Sequence, residues 1–122
     1  MIYTTYFGKL NSHPELLQKV TPIAICAKSP DGYSGKAFPS LAPSYKIFKQ
    51  YKDTGDEKTF EQMYRDEILA RLNAKQCAQQ LTLMTEVGRC PALVCYEKAG
   101  SFCHRNIVAD WLRSAGEEVQ EL

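Results

Sequence analysis

The sequence predicts an α/β fold: a small three-layer domain in which a mostly parallel sheet of about four strands is covered by helices on both faces. Two patterns point there. Short apolar runs alternate with longer segments whose apolar residues recur every three or four positions, as strands joined by crossover helices do. The runs "PIAICAK" (22–28) and "PALVC" (91–95) are apolar almost throughout, as strands buried on both faces are. The chain has 122 residues and is 44% apolar, enough for one compact core, so 1–122 is expected to form a single domain.

Each element has its own signal. "IYTTYF" (2–7) is rich in β-branched and aromatic residues and reads as the first strand. In "NSHPELLQK", Ser12 with Glu15 three residues on forms a capping box and Pro14 suits a first turn, which predicts a short crossover helix before the strand at 22–28. Glycine and proline punctuate Ser29 to Pro43, so this stretch reads as a long loop, and loops of that length in compact domains tend to be functional. A short helix follows over Pro43–Lys52. A second spans Asp56–Leu72, with Phe60, Met63, Tyr64, Ile68 and Leu72 forming one stripe. Asn73 caps a third, with Cys77, Leu81 and Met84 on one face and Gly88 as its stop. "PALVCYE" is then a buried strand, "KAGSF" a loop, and "CHRNIVADWLRSAG" a helix facing inward through Ile107, Val108, Trp111 and Leu112. "EEVQEL" can close the sheet as an edge strand.

Charge and composition narrow the function. Fifteen basic residues against fourteen acidic ones leave no global field to draw the chain to polyanions or membranes, so any such affinity must be local. "MIYTTYFGK" lacks a signal-peptide pattern and no apolar run has the length of a bilayer span, so a cytoplasmic protein without a membrane partner is expected. Five cysteines without a framework spacing fit reduced thiols.

The chemistry concentrates in "CYEKAGSFCHR", Cys95 to Arg105. Ligands in open α/β sheets bind beyond the carboxyl ends of strands, and this segment leaves such an end. Ser101 is expected to cap the next helix, placing Phe102, Cys103 and His104 in its first turn, where free N–H groups and the helix dipole attract anions. Arg105 could grip phosphate or carboxylate there, or tie to Glu97. The dipole also favours a thiolate at Cys103. Cys95 reads as a packed thiol. Cys90, Cys95, Cys103 and His104 carry zinc-binding atoms, but no C-x-x-C pair is present, so neither a metal nor another cofactor is expected.

On these residues the chain resembles the domain of unknown function 488 family, whose hallmark is a strand ending in a C-x-E-like triplet followed by a short loop and "CHR" opening a helix. Cys95, Glu97, Cys103, His104 and Arg105 match it, within "VCYEKAGSFCHRNIVADWL". The resemblance extends to "IYTTYFGKL", the loop with Pro30 and Tyr33, "LAPS" at Leu41 to Ser44, and "YRDEIL" around Tyr64. Members often carry arginine where this chain has Lys28, so a bidentate anion contact there becomes a point charge. The resemblance implies a compact α/β fold with a polar site at the strand ends.

Three functions compete. The first is an enzyme acting on a nucleotide, nucleoside or nucleic-acid base, with Glu97 and His104 in acid–base or electrostatic roles, Arg105 and the Ser101 helix terminus as phosphate anchor, and Lys28, Tyr33 and Lys36 closing over the ligand. The second is a non-catalytic nucleotide or nucleic-acid module: residues 28–52 hold five lysines and one acid, interleaved with Tyr33, Phe38, Tyr45, Phe48 and Tyr51. The third is a thiol-dependent enzyme using Cys103. It ranks last because neighbouring helical residues diverge by about 100°, which turns His104 away from Cys103.

Overall fold

Five parallel strands form one sheet in the computed structural model, which describes residues 1–98 and 100–122. They are β1 (Ile2–Tyr6), β2 (Val20–Ala24), β3 (Lys36–Ala37), β4 (Cys90–Cys95) and β5 (Val119–Glu121), in the spatial order β3-β2-β4-β1-β5. Four of them are the expected ones, although β2 begins two residues before the apolar run at 22–28 and ends at Ala24. The fifth, β3, is two exposed residues at the sheet edge, within the stretch that reads as loop, and pairs Lys36 with Ile23 and Ala37 with Ala24. Its brevity and its glycine and proline neighbours hide it from any periodicity.

Strand alternation sorts the core into two layers. Ile23 of β2 and Leu93 and Cys95 of β4 pack under the helices α2 (Tyr45–Thr54), α3 (Glu57–Glu67), α4 (Ala74–Met84) and α5 (His104–Ser114). Val20, Ala24, Ala92 and Val94 face the other way, onto Phe7 and Leu10 of the short helix α1 (Phe7–Ser12). The expected three layers are therefore present. No helix among the described residues is long and apolar enough to cross a membrane.

Helix starts follow their caps. Ser44, Asp56 and Asn73 accept hydrogen bonds from the backbone N–H groups of Ile47, Thr59 and Gln76 at the heads of α2, α3 and α4. Two starts differ from expectation. Ser12 ends α1 instead of capping a later helix, donating its hydroxyl to the Gly8 carbonyl at 2.5 Å. The following proline keeps His13 out of the helical region (φ −130°, ψ 65°), so only a 3-10 turn, Pro14–Gln18, follows. At α5 the N-cap is Cys103, not Ser101: Cys103 is extended (φ −155°, ψ 144°) and its carbonyl accepts the Asn106 N–H at 3.1 Å. Two ends differ as well. The 56–72 stripe is α3 plus a 3-10 turn, Leu69–Arg71, that keeps Leu69 buried, and α4 closes at Thr85, ahead of Gly88.

The topology parts the chain at one place. From β2 it runs outward to β3; from the neighbouring β4 it runs the opposite way, past β1 to β5. The carboxyl ends of β2 and β4 thus flank a switch point, where sheets of this kind leave a crevice.

The start of α5 is pinned at that crevice by Arg105, whose side chain is 1% exposed. Its Nε and Nη2 donate to the two carboxylate oxygens of Glu121 at 3.1 and 3.0 Å, and its Nη1 donates to the Glu97 carbonyl at 2.5 Å. Glu121 Oε1 also accepts the Thr4 hydroxyl at 2.6 Å, and the guanidinium lies 5.7 Å from the Tyr6 ring centroid. The expected Glu97 tie is real, but it runs through the backbone, and the carboxylate partner is Glu121. Removing one member of an enclosed ion pair strands the other. Glu121→Ala is expected to cost about 2–3 kcal/mol, below the roughly 3–5 of a fully enclosed pair because the Glu121 side chain keeps 32% exposure. The thermal midpoint should fall by roughly 10 °C. An unchanged midpoint would mean that the guanidinium finds another partner.

Candidate active site

A cavity of about 440 Å³ opens at the switch point, within the size range of small-molecule sites. Its inner surface is Cys95 at the end of β4, and Cys103 and His104 at the start of α5. Its walls are aromatic. Tyr51, Phe60 and Phe102 form a cluster with ring centroids 5.0 to 5.5 Å apart, and Tyr45 and Phe48 of α2 extend it toward solvent, 76% and 49% exposed. The exposed Lys28 and Glu97 also line it. An apolar body with a few polar groups is the ligand shape this accepts.

The two thiols and the imidazole are buried together. His104 Nε2 lies 2.6 Å from the Ile25 carbonyl just beyond β2. A carbonyl only accepts, so Nε2 carries the proton, and in the neutral ring Nδ1 presents its lone pair. Cys103 Sγ is 3.9 Å from that Nδ1. The divergence of neighbouring helical residues does not apply, because Cys103 is the extended N-cap and only His104 is helical. The Cys103 thiol is brought down to about 4 by the Cys95 S–H donating to it, then by the His104 ring and the Arg105 backbone N–H, all acting against burial. Burial pushes the Cys95 thiol well up, and the adjacent Cys103 pushes it further. The two thiols are thus pushed in opposite directions, Cys103 down and Cys95 up.

The donor atoms of Cys95, Cys103 and His104 lie within 4.8 Å of one another and are of the kinds zinc takes. Cys90, counted with them in the sequence, sits at the amino end of β4, about 16 Å along the strand from Cys95. Cys95 Sγ is 3.8 Å from Nδ1 and 3.9 Å from Nε2. It thus lies beside the ring, almost equidistant from the two nitrogens, off the direction of either lone pair. Nε2 is already engaged with Ile25. This is a sulfur–sulfur and sulfur–ring arrangement more than a tetrahedral one.

Of the residues singled out in the sequence, Lys28, Glu97, Cys103 and His104 line the cavity; Tyr33, Lys36, Ser101 and Arg105 do not. Arg105 gives its donors to Glu121 and to the Glu97 carbonyl. Tyr33 packs on Phe7 and donates to the Lys36 carbonyl at 2.6 Å, its hydroxyl pushed up to about 12 by burial. The Lys36 ammonium donates to the Met84 carbonyl. Along α2, Lys46 pairs with Glu67 at 3.3 Å and Lys49 with Asp53 at 2.9 Å, while Lys52 lies 5.5 Å from the Phe48 ring centroid. Tyr45, Phe48 and Tyr51 are rings the sequence named for a binding module; Cys95, Phe60 and Phe102 are what its reading left out of the site. A cysteine closing a buried strand beside the motif, on the face that receives α5, is the signal that could have placed Cys95.

Comparison with known proteins gives one match. The family model DUF488-N3a, described as "Active DUF488-N3 subclade", matches residues 7–116. No curated protein and no solved structure matches the chain. The matched span holds β2 to β4, all five α-helices and the whole Cys95–Arg105 segment. On a match across most of its length that includes the segment building the cavity, the chain belongs to the DUF488 family.

Proposed function

We propose that the protein is a thiol-dependent enzyme that uses Cys103 as a nucleophile on the base of a nucleoside or a similar flat, polarised heteroaromatic ring. The observation that carries this reading is the Cys103 sulfur, 3.9 Å from His104 Nδ1 and beside Cys95, at the inner end of an aromatic cavity. Ring faces such as Tyr51 and Phe102 suit a stacked base, and stacking is worth about 1–3 kcal/mol per base. Lys28 and Glu97 are the polar groups that would select its edge or a pendant phosphate.

In the reaction, the sulfur forms a bond to an electron-poor ring carbon, the ring double bond opens, and its electron pair moves onto the conjugated carbonyl oxygen. Expelling the sulfur reverses these changes. Cys95 beside it draws the Cys103 thiol down, and His104 Nδ1, 3.9 Å away, is the acceptor for the proton that Cys103 gives up. A phosphate anchor at Arg105 and a basic nucleic-acid track along α2 draw less support, since those cations already have partners.

Alkylation by iodoacetamide tests the thiolate. A thiol at its ordinary value reacts about tenfold faster per pH unit below that value, whereas Cys103 should react at a nearly constant rate from about pH 5.5 to 8 and slow only near pH 4. The lowered value also stabilises the folded chain. That contribution is full above the unfolded thiol's value near 9 and is lost as pH falls through about 4. A Cys103 rate that climbs steadily to pH 8 would remove the nucleophile.

A 5-halogenated uracil tests the substrate class. It should form an adduct on Cys103 that is absent in Cys103→Ser and slowed at least about tenfold in Tyr51→Ala, where a stacking face is gone. Labelling of Cys26 alone, or none, sinks the nucleobase reading.

A further inference from the structure

The nucleophile needs one sulfur, yet the cavity presents two within 4.8 Å of each other. Cys95 and Cys103 come from different elements, the end of β4 and the N-cap of α5, and meet inside the cavity lining, so a small molecule reaches both without opening the core. Cys77 is buried under α4, and Cys90 sits at the far end of β4. Cys26 lines the cavity too, but its sulfur lies 3.4 Å from the Lys28 carbonyl, which faces it toward its own turn.

We infer that Cys103 and Cys95 form a redox pair with a second activity, the reduction of small organic hydroperoxides, in which Cys103 is oxidised and Cys95 resolves it. Cys103 sulfur attacks the terminal peroxide oxygen; an S–O bond forms, the O–O bond breaks, and the alkoxide leaves and takes a proton from water to become the alcohol. Sulfur has lost two electrons and the peroxide has gained them. Cys95 sulfur then attacks the sulfenic sulfur, the S–S bond forms, and the hydroxide leaves with the Cys95 proton as water. An external dithiol returns the pair to its reduced state. The apolar, aromatic walls favour a hydroperoxide with a hydrocarbon body over hydrogen peroxide. Side-chain rotation is enough to bring the sulfurs together, because Cys95 Sγ and Cys103 Sγ already lie within 4.8 Å.

This activity shares Cys103, its neighbour Cys95 and the aromatic cavity with the proposed function, and one experiment separates the two. The reduced wild-type protein is treated with stoichiometric cumene hydroperoxide, alkylated in acid and mapped by peptide mass. The expected result is a Cys95–Cys103 linkage, formed at least about tenfold faster than any oxidation of Cys90 in the same molecule and faster than with hydrogen peroxide. Cys95→Ala should instead stop at a sulfenic acid on Cys103 that a 1,3-diketone traps. Over-oxidation of wild-type Cys103 with Cys95 left reduced, or a bond to Cys26, overturns the pairing. A linkage that forms normally in protein that gives no halouracil adduct would leave this inference standing and remove the nucleobase reading.

Discussion

The buried Arg105 holds the site together because it satisfies three chain segments at once. Its bidentate bond to Glu121 fixes the first turn of α5 to β5, its bond to the Glu97 carbonyl fixes the exit of β4, and the Thr4 hydroxyl on Glu121 brings in β1. A guanidinium has the donor fork for this and an ammonium does not. The price is an enclosed charge that stability alone does not favour. What the enclosure secures is the register between α5 and the sheet, and the distance from Cys103 to Cys95 and His104 depends on that register.

The same constraint reassigns the chemistry. An arginine at a helix start beside a carboxylate reads naturally as an anion grip. Here the arginine's donors are taken by Glu121 and the Glu97 carbonyl, and the cation works from inside the core. The polar character expected of the cavity moves to its rim, at Lys28 and Glu97, and the interior is rings and thiols. A flat, weakly charged ligand fits that division better than a bare phosphate.

The sequence made the layers legible because buried strands and amphipathic helices carry periodicities that survive in any context: the run at 91–95 and the cap Asn73 stand where local rules put them, while the run at 22–28 marks its strand late, since β2 is Val20–Ala24. The strand β3 was hidden, since two residues have no period. Within the site, Cys103 and His104 were legible as a pair, but their mutual geometry was not, because one residue of offset in the helix start decides it. With Ser101 as cap they would diverge; with Cys103 extended they converge. Glu121 lay beyond the reach of any local pattern, sixteen positions from Arg105 and joined to it only by the fold.

The bond from His104 Nε2 to the Ile25 carbonyl has an evolutionary side. A side-chain partner could be deleted by one codon change; a main-chain oxygen persists whatever residue stands at position 25. The protonation pattern of the imidazole is therefore inherited with the path of the chain past β2. A substitution at position 25 therefore leaves the tautomer that faces the thiols as it is, and only a shift of the chain beyond β2 changes it.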